Sequence, residues 1–177
     1  MNRRNILYGS VAAAAGLAGT GVAWWKFQPH EVATTESANT PDPFWGLSFV
    51  TPQGQPLAIK EFAGKPLLVN FWATWCPPCV EELPLLNSFY QENKSKNWQV
   101  LGLAVDQPSA VRTWLQRKPL SFPVAMAGFS GTELSKSLGN LSGSLPFTVV
   151  FGASGQLLHR TIGKVSPEDL LQWAQLG

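Results

Sequence analysis

The segment Phe71-Trp72-Ala73-Thr74-Trp75-Cys76-Pro77-Pro78-Cys79 limits what this chain can become more than any other. It holds both cysteines of the 177 residues. An apolar run from Pro66 to Phe71 precedes it and reads as a buried strand. A helical pattern from Val80 to about Tyr90 follows it. Cys76 therefore belongs where a strand ends and a helix begins. A helix N-terminus offers unpaired N–H groups and partial positive charge, and both favour thiolate over thiol. The thiolate is the reactive form, so Cys76 is the expected nucleophile. Cys79 lies one turn on, on the same face, placed to attack a mixed disulfide on Cys76. Pro77 suits the first helical position, where a missing N–H costs nothing. Pro77 and Pro78 both fix φ and hold the sulfurs with little slack.

Other uses of two cysteines are weaker. A structural zinc site needs four ligands. Only His30 and His159 are available to join the thiols, and His30 stands in a polar, proline-bearing stretch. A purely structural disulfide across so short a loop stabilises little by chain entropy. Two cysteines also exclude a disulfide-dense scaffold. The formal charge of +2 and the lack of a long basic run argue against nucleic acid.

The N-terminus carries a separate signal. Arg3-Arg4 precedes an uncharged Ala/Gly-rich stretch from Ile6 to Trp25, near the length that spans a bilayer. Positive charge ahead of it sends the rest of the chain outward. Residues 1–26 thus read as a membrane anchor or a cleaved signal, with features of a twin-arginine leader and only a weak cleavage site at Gly21-Val22-Ala23. Residues 27–43 read as a flexible linker, and residues 44–177 as the folded domain.

Within that domain Trp45 to Val50 and Leu57 to Ile59 read as a β-hairpin around Pro52-Gln53-Gly54-Gln55. Leu67 to Trp72 is the expected central strand. Pro84 is expected to kink the helix after Cys76. Val100 to Val105 reads as a strand buried on both faces. Asp106 is expected to cap a helix bearing Val111, Trp114 and Leu115. Phe122 to Met126, Pro146 to Phe151 and Gln156 to Ile162 read as strands. Thr132 to Leu138 reads as a short helix. A last helix begins at Ser166-Pro167, with Leu170, Leu171 and Trp173 facing inward. The order β-β-β-α-β-α-β-α-β-β-α implies an α/β sheet with helices on both faces.

With WCPPC between a buried strand and a proline-containing helix, the chain resembles the thioredoxin superfamily. It is most similar to the TlpA/ResA-like branch of membrane-tethered, extracytoplasmic thiol–disulfide oxidoreductases. The resemblance covers roughly Phe44 to Gln175 and implies a thioredoxin-like fold with a central mixed sheet and an added N-terminal hairpin. It implies a nucleophilic Cys76, a resolving Cys79, and a cis-proline at Pro146 in Gly143-Ser144-Leu145-Pro146-Phe147-Thr148. The Leu145 backbone would then lie beside Cys76, free to pair with a substrate strand. Trp75 would give shielding and an apolar contact surface. Minimal thioredoxins carry a buried Asp at the position of Asn70; the branch instead has a Glu matching Glu82, a candidate acceptor for the Cys79 proton. Phe147 departs from the branch, which has a small polar residue there, and would narrow the groove or make it more apolar.

The resemblance implies no metal and no cofactor beyond the Cys76–Cys79 disulfide. Expected partners are protein disulfides and a membrane-embedded electron donor, on the periplasmic side of the cytoplasmic membrane. Expected roles are reduction of apocytochrome c or metal-site thiols. A disulfide-forming oxidase, a copper metallochaperone and a thiol peroxidase of the same superfamily remain as alternatives. The motif gives the chemistry and not its direction, which is set by potential.

Overall fold

The computed structural model describes residues 42–176. The anchor or signal expected at residues 1–26, and most of the expected linker, lie outside the described residues. Among the described residues no helix is long and apolar enough to cross a membrane.

Seven strands form one mixed sheet in the order β2-β1-β5-β4-β3-β6-β7. They are β1 (Ser48–Val50), β2 (Pro56–Ala58), β3 (Leu67–Trp72), β4 (Gln99–Ala104), β5 (Val124–Met126), β6 (Phe147–Phe151) and β7 (Leu157–Ile162). Strands β3, β4 and β5 are mutually parallel, while β1 with β2, β1 with β5, β3 with β6, and β6 with β7 pair antiparallel. The helices are α1 (Pro77–Asn93), α2 (Pro108–Arg117), α3 (Gly131–Ser137) and α4 (Pro167–Trp173). This is a thioredoxin-like α/β arrangement, and the element order matches that expected from periodicity.

Strand β3 lies inside the sheet between β4 and β6, and every side chain on it is buried. Its alternate residues serve two cores. Leu68 and Trp72 face α1, packing with Leu83, Leu86 and Val150, and with Leu170 and Trp173 of α4. Leu67, Val69 and Phe71 face the opposite way, with Phe44, Ile59, Phe147, Phe151 and the Leu138 end of α3. Helices thus cover both faces, but unequally. One face takes α1, α2 and α4; the other takes α3 and two 3-10 turns, Pro43–Gly46 and Ile59–Phe62.

Four local expectations change. The segment at Trp45 is not strand: Pro43 opens a 3-10 turn whose Phe44 N–H donates to Asp42 Oδ1 at 2.9 Å, and β1 begins only at Ser48. Ile59 likewise opens a 3-10 turn instead of extending β2. Leu171 does not face inward; it is 69% exposed, because the seven-residue α4 can bury only the stripe of Leu170 and Trp173, three residues apart. Asp106 does not cap α2, whose N-cap is Gln107. Its carboxylate turns back to the cysteine loop. Pro84 lies inside α1 without ending it, and the helix runs on to Asn93.

Candidate active site

Parallel strands place their C-terminal ends together, so the turns after β3, β4 and β5 share one end of the sheet. Antiparallel β6 brings its N-terminal end to the same place, with Phe71 opposite Phe147. The cysteine loop and the loop before Pro146 therefore meet at one edge, although they are far apart in sequence.

Cys76 is the N-cap of α1 and Pro77 the first helical residue. The Cys79 N–H donates to Cys76 Sγ at 3.3 Å, and the Val80 N–H to the Cys76 carbonyl at 3.2 Å. The nucleophile's sulfur thus already receives one of the orphan donors of the helix start. Cys76 and Cys79 are joined in a disulfide, with Cα atoms 5.3 Å apart. Cys76 keeps 4% of its surface exposed and Cys79 none. Of the two cysteines, only Cys76 reaches solvent at all. Pro77 is exposed and Pro78 half-buried.

The loop before Cys76 is held by Asp106. Its Oδ2 accepts from the Thr74 N–H at 2.8 Å and the Thr74 hydroxyl at 2.6 Å, and its Oδ1 from the Gln107 N–H at 2.7 Å. The Val105 N–H donates to the Trp72 carbonyl at 2.8 Å, which fixes the end of β4 against the end of β3. Sequence reasoning misses this brace, since only the strand register brings Asp106 to Thr74.

Glu82 stands three residues past Cys79 on α1, 2% exposed. Its Oε1 accepts from Asn70 Nδ2 and its Oε2 from the Val165 N–H, both at 2.8 Å. Asn70 Nδ2 also donates to Thr148 Oγ1 at 3.0 Å. Burial pushes the Glu82 carboxyl above its ordinary value of 4.5, opposed by the Val165 N–H, the Asn70 amide and the nearby Lys164 charge. Glu81, one residue earlier, points to solvent and pairs with Lys164 at 2.9 Å. Helical spacing puts Glu82 at the border of the apolar face; the structure buries it outright, with both oxygens engaged.

The Leu145–Pro146 bond is cis. Pro146 is buried, and its carbonyl accepts from the Gly163 N–H at 2.9 Å. Among the described residues no hydrogen bond engages the Leu145 backbone. Phe147 does not line a groove. It is fully buried on the far side of the sheet, 5.7 Å from the Phe71 ring. The alternation of β6 decides this, sending Thr148 toward Asn70 and Phe147 away from it.

Solvent meets several apolar side chains around this edge. Trp75 is 64% exposed, Phe129 after β5 74%, and Leu141 before the cis-proline 84%. Nothing local in the chain marks Phe129 or Leu141 as site residues, because only the order of strands brings their loops to the cysteine end. A recess of about 440 Å³, lined by Thr74, Thr113, Trp114 and Arg117, adjoins the loop.

A family model described as Redoxin matches residues 36–172. The chain belongs to the Redoxin family. Within it the chain is TlpA/ResA-like. It is 32% identical over 125 residues to the thiol-disulfide oxidoreductase ResA of a Bacillus cereus strain, covering 70% of this chain and 69% of that one. A thioredoxin-family thiol:disulfide interchange protein from Chlorobium tepidum TLS superposes with a TM-score of 0.66 at 30% identity, covering 78% of this chain and 98% of the other. A thioredoxin-related protein from Neisseria meningitidis serogroup B gives 0.65 at 28% identity, covering 72% and 96%. With its redox-type Cys76–Cys79 pair, this Redoxin-family chain is a thiol-disulfide oxidoreductase.

Proposed function

We propose that the chain is an extracytoplasmic protein-disulfide reductase, with residues 44–177 as its catalytic domain. Residues 1–26 serve as anchor or export signal and residues 27–43 as tether. The observation that carries the assignment of roles is the unequal exposure of the two cysteine residues, 4% for Cys76 and none for Cys79.

In the reduced protein the Cys76 thiolate attacks one sulfur of a substrate disulfide. A bond forms between Cys76 and that sulfur, and the other substrate sulfur leaves as a thiolate. Cys79 then gives its proton to Glu82 and attacks Cys76, forming the intramolecular disulfide and releasing the second substrate thiolate. The substrate gains two electrons and the Cys76–Cys79 pair loses them. A membrane-embedded donor restores the dithiol, and no metal or further cofactor takes part. The substrate backbone pairs with Leu145 before Pro146, in the manner of an added strand. Trp75, Phe129 and Leu141 contact apolar residues beside the substrate cysteine. Apocytochrome c thiols and metal-site thiols fit as targets because both must stay reduced until loaded.

Replacing Cys76 with Ser abolishes reduction of insulin disulfides on this reading; retained activity overturns it. The potential of the Cys76/Cys79 couple fixes direction: a strongly reducing value supports the reductase, a strongly oxidising one makes the chain a disulfide-forming oxidase.

A further inference from the structure

Among the described residues three buried side-chain polar atoms lack a partner: Asn70 Oδ1, Trp72 Nε1 and Trp98 Nε1. Two are indole donors. The single orphaned acceptor belongs to the residue whose other amide atom already bonds Glu82. A buried acceptor left unpaired has given up its water for no partner, so its location calls for a reason.

The chemistry of Glu82 supplies one. As a carboxylate it wants donors, and it has Asn70 Nδ2 and the Val165 N–H. Once protonated it carries an O–H that needs an acceptor in a site with 2% exposure. The backbone N–H at Val165 is fixed and can only donate. Asn70 can do both, because its amide has a donor end and an acceptor end of nearly the same shape. Thr148 matches this ambivalence, since a hydroxyl either accepts from Nδ2 or donates to Oδ1.

We propose that the Asn70 carboxamide turns over when Glu82 takes up a proton, so that Oδ1 accepts from the new carboxyl O–H and from the Thr148 hydroxyl. In either orientation one amide end bridges Glu82 and Thr148, and the other end is unpaired. The two forms of the acid therefore keep the same number of hydrogen bonds. Asn70 is a positioning residue: its hydrogen bonds go to Glu82 and Thr148, and it acts through Glu82. A fixed donor there would favour only the carboxylate. The other titratable or charged groups around Glu82 are Cys76 and Cys79 on α1, Lys164 paired to Glu81, and Asp169, which accepts from the Ser166 N–H and hydroxyl. The facing positions on β3 and β6 are the neutral Asn70 and Thr148.

The inference rests on Glu82 being the group that takes the Cys79 proton. Its test is side-chain NMR of the full-length, uniformly 13C,15N-labelled protein in detergent micelles, with Asn70 assigned by its loss in Asn70→Leu. The expected result is that the Asn70 NH2 signals shift across the Glu82 transition, read from the 13C carboxyl signal. In Glu82→Gln, whose amide donates to Oδ1 at every pH, the Asn70 signals sit at the wild-type low-pH position and do not move. Asn70 signals that stay fixed while the Glu82 carboxyl titrates overturn the turnover, as do signals in Glu82→Gln held at the wild-type high-pH position. Release of a Cys76-linked substrate is followed separately in Glu82→Gln. Normal release there refutes Glu82 as proton acceptor, whatever the amide does.

Discussion

Removing the Asp106 carboxylate tests whether the cysteine loop is held by a charge from the next strand. In Asp106→Ala three hydrogen bonds disappear, to the Thr74 N–H at 2.8 Å, the Thr74 hydroxyl at 2.6 Å and the Gln107 N–H at 2.7 Å. Bonds to a charged acceptor contribute about 1.5–3 kcal/mol each in isolation, but three on one carboxylate are not additive. Asp106 is 8% exposed, and Thr74 and Gln107 are near enough to the surface for water to replace part of what is lost. The expected cost is about 2–4 kcal/mol. With a urea slope of about 2 kcal/mol/M the unfolding midpoint falls by about 1–2 M. Asp106→Asn keeps one acceptor and should lose about half as much. The assay is urea unfolding followed by tryptophan fluorescence, since Trp72 lies 5.1 Å from Trp114 between centroids and reports on this corner. A loss below about 0.5 kcal/mol for Asp106→Ala refutes the brace, because it means water satisfies Thr74 as well as the carboxylate does.

The same geometry sets three further outcomes. Cys79→Ser traps the mixed disulfide between Cys76 and a substrate cysteine, visible as a reducible adduct on a gel; no adduct under conditions that oxidise the substrate argues against Cys76 as nucleophile. In the oxidised protein, where the cysteines do not titrate, Glu82 is the buried acid with a raised value, so the folded state holds its proton more tightly than the unfolded one. Its stabilising contribution is full below 4.5 and is lost as pH rises toward the folded value, at up to about 1.4 kcal/mol per pH unit. Stability of wild type relative to Glu82→Gln, measured by urea unfolding, should fall over that interval, and a flat difference from about pH 4 to pH 8 contradicts it. Replacing Phe129 and Leu141 by Ser should raise KM for a protein disulfide about tenfold while leaving reduction of a small disulfide unchanged, because the change removes apolar contact and no reacting group; equal losses on both substrates refute the contact surface.

The redox loop is legible in the sequence because its signals are local. The apolar run of β3, the proline at the first helical position and the cysteine spacing all sit within one short stretch, and periodicity carries the succession of elements along the chain as well. What fails to show depends on pairing between distant strands. Asp106 reads as a helix cap since it precedes Pro108, and only the parallel register of β3 and β4 turns it toward Thr74. Phe147 reads as a groove residue since it follows Pro146, and only the alternation of β6 sends it into the far core. Leu171 reads as core because a short helix covers less than its apolar content suggests.

The Val165 N–H that meets Glu82 comes from 83 residues further along the chain. The two thiols leave the ribosome long before this donor exists. Until the Val165 segment docks, Glu82 lacks its fixed backbone ligand. A nascent chain not yet made as far as Val165, or one clipped before it, therefore carries both cysteines without the environment that makes them an orderly pair.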